Sequence, residues 1–251
     1  MEISLLVLLF FVGILVGFIN IVSAGGSMLT LPILIFMGLP SPTANGTNRI
    51  GIIVQNIFAM LHFRKNKLFD WKLGLILSVP AVIGSVYGAN LAIDLSDKIF
   101  NNTLGIFMLI IIVLLTVKPQ RYFKKVKIQS NVLRGILITF AFLIVGFYGG
   151  FIQAGVGFII IIALLLLYPN KTLVEMHSIK TFVITIYLLI STFVFIKNGN
   201  VNWTFAIVLA LGSAIGGNLG GRFASRVPEK VLQILLIVVV SIISIKLFLG
   251  N

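Results

Sequence analysis

The sequence predicts an all-α polytopic membrane protein made of two homologous halves, and three observations carry that prediction. Hydrophobic residues make up 59% of the 251 and charged residues only 10%, with a mean hydropathy of +1.16; a soluble domain is about a quarter charged. The apolar runs are continuous and about 20 residues long, enough to cross the hydrocarbon as helices, not the alternating segments of about 10 that a membrane barrel shows. Glycine-rich interruptions recur at corresponding places in the two halves, and such paired breaks point to a transporter's binding site.

Taken in order, Ile3–Val22 is a spanning helix. Glu2 precedes it and neither a basic n-region nor a small-residue cleavage signal accompanies it, so it reads as a retained helix, not a signal peptide. The break Ser23–Ala24–Gly25–Gly26–Ser27 follows. Met28–Gly38, with Pro32 inside it, is then short enough for a half or re-entrant helix. A polar knot, Thr43 to Arg49, opens the span Thr43–Phe63, which ends at Arg64–Lys65–Asn66–Lys67. Trp71–Ile93 crosses back to the acidic turn Asp94–Asp97, and Lys98–Val117 returns to the most basic loop, 118–127.

The second half repeats the plan. Asn131–Ile152 is followed by the break Gln153–Ala154–Gly155–Val156–Gly157, the short run Phe158–Tyr168 and the knot Glu175 to Lys180 within Thr172–Ile196. Trp203–Ala224 and Pro228–Leu249 complete it. Trp71 with Trp203, Gly84 with Gly216, Gly88 with Gly220 and Lys98 with Lys230 share one offset, 132 positions by subtraction. The reading is an N-terminal repeat at 1–118, a basic cytoplasmic linker at 119–130 and a C-terminal repeat at 131–251. Each repeat has about five helices, four long and one short, giving 8–10 membrane segments. The glycines at Gly84/Gly88 and Gly212/Gly216/Gly220 recur every four positions and let helices approach closely within one chain.

If the short segments cross, the repeats are inverted. Arg64, Lys65, Lys67, Lys72, Lys171, Arg222, Arg226 and Lys230 then share one side with the 118–127 loop, leaving Lys98, Lys197 and Lys246 opposite. If they are re-entrant, the repeats are parallel and Lys171, Arg222, Arg226 and Lys230 leave that side. The positive-inside rule favours inversion.

The net charge of +13 would suggest nucleic acid in a soluble chain; here it lies in short loops and sets orientation. There is no cysteine, the two histidines are far apart, and no phosphate loop, nucleophile elbow or metal motif is present. An enzyme, a cofactor, a metal site and direct use of ATP are therefore not expected.

Arg49 and Lys180 fall one position apart in the repeat alignment, each a few residues into a span. Charge at membrane depth marks a function by default, and two cations meeting at a pseudo-symmetric centre with few carboxylates suit an anionic substrate. Unwound backbone at Gly25, Gly26 and Ser27, and at Gly155 and Gly157, would expose half-helix N-termini whose N–H groups and dipoles also favour negative charge. Glycine permits close approach or positive φ. Ser23, Asn45, Thr47, Asn48, Gln153, His177 and Ser178 add polar side chains that serve either a ligand or helix packing. Glu175 and His177 form a candidate proton relay, with the simpler alternative that Glu175 pairs with Lys171 or Lys180.

With those residues in hand, the chain resembles the TauE/SafE sulfite-exporter family, the toluene-sulfonate uptake permease superfamily. The resemblance lies in Gly25–Gly26–Ser27–Met28–Leu29–Thr30–Leu31–Pro32, Gly38–Leu39–Pro40, Ala44–Asn45–Gly46–Thr47–Asn48 and Ala154–Gly155–Val156–Gly157–Phe158. It implies a multi-pass carrier of the cytoplasmic membrane for sulfite, sulfonates or other small organic anions, driven by an ion gradient. It also implies ligand-facing positions at Gly25, Gly26, Ser27, Thr47, Asn48, Gly155 and Gly157. Ser23–Ala24 and Met176–His177–Ser178 depart from the family pattern. The expected function is thus secondary transport of a small anion by alternating access, with a proton or sodium ion as candidate coupling ion and a homo-oligomer left open. An anion channel or a membrane subunit of a larger assembly is the alternative.

Overall fold

A computed structural model describes residues 3–23, 25–65, 70–117, 131–223 and 237–241. The basic linker 119–130 and most of the last expected span lie outside them. The described residues form helices α1 (Ile3–Ser23), α2 (Ser27–Phe36), α3 (Ser41–Lys65), α4 (Trp71–Asp94), α5 (Asp97–Val117), α6 (Asn131–Phe151), α7 (Val156–Leu167), α8 (Leu173–Lys197) and α9 (Trp203–Phe223), with residues 237–241 also helical. Among the described residues there is no strand. Six helices, α1, α4, α5, α6, α8 and α9, are long and apolar enough to span a bilayer. Helix α3 is as long as α8, at 25 residues, but its polar knot dilutes its apolar character. Helices α2 and α7, of 10 and 12 residues, reach only about 15 and 18 Å.

Local chemistry fixes the ends. Asp70 caps α4 by accepting from the Leu73 N–H at 3.2 Å. Thr172 and Glu175 form a capping box at the start of α8, satisfying two of the amides a helix start leaves over. Gly38 (φ +91°) and Gly199 (φ +71°) take the left-handed turn just after α2 and α8, where a side chain would be strained.

The halves are interlaced. Helix α1 lies along α9 and α6 along α4, so the first helix of each half packs on the fourth of the other. Helix α3 packs on α9 as α8 does on α4, and α3 and α8 meet each other. Glycine makes the closest of these contacts. A Cβ on Gly84 would collide with the Leu143 carbonyl and sit 2.7 Å from the Phe147 amide nitrogen; one on Gly216 would collide with the Ile14 carbonyl and sit 2.8 Å from the Phe18 nitrogen.

Loop contacts settle which ends share a side. Lys171, between α7 and α8, pairs with Asp70, between α3 and α4, at 2.8 Å. On the other side the Ser41 N–H donates to Asp97 Oδ1 at 2.6 Å, and the Asn202 N–H donates to Thr47 Oγ1 at 2.9 Å. The parallel, re-entrant arrangement would place Lys171 and Asp70 on opposite sides of the membrane. The ion pair excludes it, and the loops have the sidedness of the inverted one. Energetically the pair is modest, because its side chains are 27% and 35% exposed and such pairs contribute at most about 1 kcal/mol. The Lys171 ammonium holds the Asp70 carboxyl below the ordinary carboxylate range.

Three outcomes follow from this packing. Gly216→Val should lower detergent-solubilised stability by about 1–3 kcal/mol, the usual cost of overpacking, whereas Gly135→Ala, with nothing within 4 Å of its Cβ position, should not; thermal melting of both variants measures the contrast. Since the chain has no cysteine, single cysteines at Lys72 and Lys171 should label from one face of the membrane and one at Ser96 from the other. Because Asp70 is depressed in the folded state, its contribution is present above its ordinary pKa of about 4 and is lost as pH falls through the lowered value; Asp70→Asn should therefore flatten only the acid limb of the stability profile.

Candidate functional site

The two glycine breaks meet inside the bundle. Ser27, at the start of α2, donates through Oγ to the Gln153 carbonyl at 3.3 Å and accepts from the Gly155 N–H at 3.1 Å. One hydroxyl thus satisfies a carbonyl and an amide of the other half's irregular backbone, which membrane interiors otherwise cannot leave unpaired. Gly155 carries φ +72° at the N-cap of α7, and the non-glycine Gln153 carries φ +68°. Around that strained residue, Tyr187 donates to Gln153 Oε1 at 2.7 Å and Tyr148 donates to the Ala154 carbonyl at 2.6 Å. Gly26 needs no positive φ, at −59°. It is glycine for space, since a Cβ there would sit 2.7 Å from Asn20 Cβ and collide with the Val16 carbonyl. Gly25 and Gly157 are buried beside the breaks.

Each half's buried cation closes the first helix of the other half. Arg49 is 0% exposed. Its Nη2 donates to the Gly150 carbonyl and, at 3.3 Å each, to the Gly149 carbonyl and Asn45 Oδ1; Nη1 donates to Ser191 Oγ at 3.0 Å. Gly149 and Gly150 lie in the last turn of α6, whose carbonyls lack helical partners and whose dipole end is negative. Phe195 lies 4.3 Å beneath the guanidinium. Lys180 does the same for α1: Nζ donates to the Asn20 carbonyl at 2.9 Å and lies 3.3 Å from His177 Nδ1.

The two cations do not meet, contrary to the expectation from their alignment. Ser191, which holds Arg49, is 11 positions beyond Lys180 on α8, about 16 Å along the helix. Tyr187, which holds the crossing of the breaks, falls between them. The cations therefore bracket the crossing, one towards each end of the bundle.

The remaining predicted residues separate cleanly. Asn45 donates to the Phe151 carbonyl at 2.7 Å as well as accepting from Arg49, so it braces the end of α6. Thr47 holds the turn before α9 through Asn202. Ser23 bonds back to the Ile19 carbonyl at 2.9 Å. Glu175 and His177 are not brought together: Glu175 is spent on the capping box and lies 3.5 Å from Lys171, while His177 faces Lys180. Asn48 is 1% exposed with neither side-chain nitrogen nor oxygen bonded, and Arg49 Nε, Ser178 Oγ and Thr30 Oγ1 are likewise buried without partners. Gln55 Nε2, Asn56 Nδ2 and Thr192 Oγ1 are in the same state. Buried polar atoms are normally paired, so spare bonding capacity runs along α3 and α8 and includes the knot at Asn48 and Arg49. Tyr187, Tyr148, Ser191 and Thr30 also belong to the site, and nothing in the sequence singles them out. A tyrosine or hydroxyl within a span was the available signal, and it is a common one. Among the described residues no group of side chains is arranged to hold a metal.

The family model for the sulfite exporter TauE/SafE matches residues 9–247. The chain belongs to the TauE/SafE family. Relatives bear this out over most of their length. A probable membrane transporter protein of Haemophilus influenzae is 30% identical over 84% of this chain and 82% of its own. The probable membrane transporter proteins YunE of Bacillus subtilis and YfcA of Escherichia coli are each 26% identical, covering 82% and 97% of this chain and 84% and 89% of theirs. No solved structure matches. This member of the TauE/SafE family is a multi-pass membrane transporter, and its bacterial relatives fit a cytoplasmic-membrane location.

Ser27→Ala should strand the Gly155 amide and cost about 1–3 kcal/mol, whereas Ser23→Ala, which removes only a bond within its own helix, should be near neutral. Thermal melting of the two variants measures the contrast.

Proposed function

We propose that the protein is a secondary transporter of a small anion, such as sulfite, a sulfonate or another sulfur-containing or organic anion. The substrate would bind at the crossing of the breaks, and alternating access would move one repeat against the other. The observation that carries this reading is the fully buried Arg49, bonded to carbonyl oxygens and one hydroxyl but to no carboxylate among the described residues, beside the unbonded amide of Asn48. A cation at membrane depth without a counter-charge is costly, and a bound anion would offset that cost. Lys180 places a second positive charge on the other side of the crossing. The unbonded donors of Asn48, Ser178 and Thr30 suit the oxygens of an oxyanion. The repeats would exchange which end is open while the Ser27 bridge and its neighbours re-form.

The test is thermal stabilisation of the purified protein by sulfite, sulfate, thiosulfate, methanesulfonate, acetate and chloride. A ligand that binds only the folded state stabilises by about 2.7 kcal/mol at a hundredfold excess over Kd. One or more sulfur oxyanions should raise the melting temperature with concentration. The shift should be lost in Asn48→Leu and weakened at least tenfold in apparent affinity in Arg49→Lys, which keeps the charge but not the fork. An equal shift in both variants, or none with any anion, contradicts the reading.

A further inference from the structure

His177 and Lys180 lie one turn apart on α8, 4% and 2% exposed, with Nδ1 and Nζ 3.3 Å apart. If Lys180 is charged, Nδ1 must be the accepting atom, so His177 is the neutral imidazole with its proton on Nε2. Among the described residues, the other titratable groups on the elements packed around α8 are engaged elsewhere, lie at helix ends or are exposed. Described α1 has none and offers the Asn20 carbonyl to Lys180. On α3, Arg49 is held by Ser191 and the end of α6, His62 is bonded to Asn218, and Arg64 and Lys65 close the helix. On α4, Lys72 lies over Trp71 at one end, Asp94 ends the helix and Tyr87 is exposed. On α6, Arg134 donates to the Leu167 carbonyl and Tyr148 to that of Ala154; Tyr168, after α7, lies under Arg134. On α8 itself, Glu175 joins Thr172 and Lys171, Tyr187 holds Gln153, and Lys197 ends the helix.

We propose that His177 is the coupling-proton site of the transport cycle, protonated when an anion occupies the crossing and deprotonated when the anion leaves. The proposal rests on the anion-transport reading above. Protonating Nδ1 removes the acceptor that Lys180 uses and sets a second cation 3.3 Å away in a low-dielectric interior, which is unfavourable until an anion supplies negative charge. The proton comes from solution and returns to it, so no other reactant is needed. Linkage is reciprocal, so a proton that the anion stabilises raises anion affinity by the same factor. The first half holds no equivalent. Its guanidinium at Arg49 is permanently charged and flanked by Asn48 and Thr47, which do not titrate. One half would carry fixed charge and the other switchable charge, making the cycle a proton–anion symport.

Titration calorimetry of the purified protein with thiosulfate, sulfate and methanesulfonate, whose charges do not change near neutrality, tests this in two buffers of different ionisation enthalpy. The wild type should take up as much as one proton per anion, with affinity falling by up to about tenfold per pH unit above the His177 pKa. His177→Gln should still bind, with heat independent of buffer and affinity independent of pH. Wild-type heat that is independent of buffer, or proton uptake retained in His177→Gln, overturns the proposal while leaving anion binding intact. Binding of none of the three, with sulfite and acetate also failing to bind, overturns it together with the reading on which it rests.

Discussion

The hydrogen bonds of the Ser27 hydroxyl to Gln153 and Gly155 are the contact on which the interior arrangement depends. Two helices broken within a membrane expose amides and carbonyls to a medium that cannot bond them. Here each break supplies what the other lacks, and the surrounding tyrosines and Asn45 bond the carbonyls and the Gln153 side chain that remain. Close packing at Gly13, Gly17, Gly84 and Gly88 brings the long helices near enough for this to happen. The interlacing of the halves follows, because each first helix must lie against the fourth helix of the other half for its broken end to reach the centre.

The same constraint explains the cations. A helix that stops inside the bundle leaves carbonyls at a negative dipole end, and Arg49 and Lys180 each cross to the other half to meet such an end. Their first role is therefore structural, and their consequence is a pair of cations buried in the interior. Arginine and lysine are not equivalent in it: the guanidinium divides its donors among four groups, whereas the ammonium shares a histidine.

Much of the fold was legible because span length and breaks are written in hydropathy. The observed helices begin and end within a few residues of the apolar runs, and the short segments stand where glycine and proline interrupt them. Sidedness needed a contact between remote loops, Lys171 with Asp70, which hydropathy does not encode. The site was only partly legible. Repeat alignment sets Arg49 and Lys180 one position apart, and an alignment says nothing of their separation in space. Ser27 stood out as part of a break, yet its partners lie more than a hundred residues away. Gln153 reads from sequence as a polar candidate for a ligand; in the fold its positive φ shapes the break and its side-chain Oε1 accepts from Tyr187. Asn48 could be recognised as the unbonded residue of its knot only once Asn45 and Thr47 had been assigned to helix ends.

On this reading an anion binds at the crossing and is carried across by exchange of the open side. Counterflow in proteoliposomes tests it most directly, using radiolabelled thiosulfate outside and a high concentration of unlabelled thiosulfate, sulfite or methanesulfonate inside. Entry of label should saturate, be accelerated by anion on the trans side and be abolished in Asn48→Leu. Flux that rises linearly with concentration and ignores the trans anion would contradict it, and would make the crossing a pore.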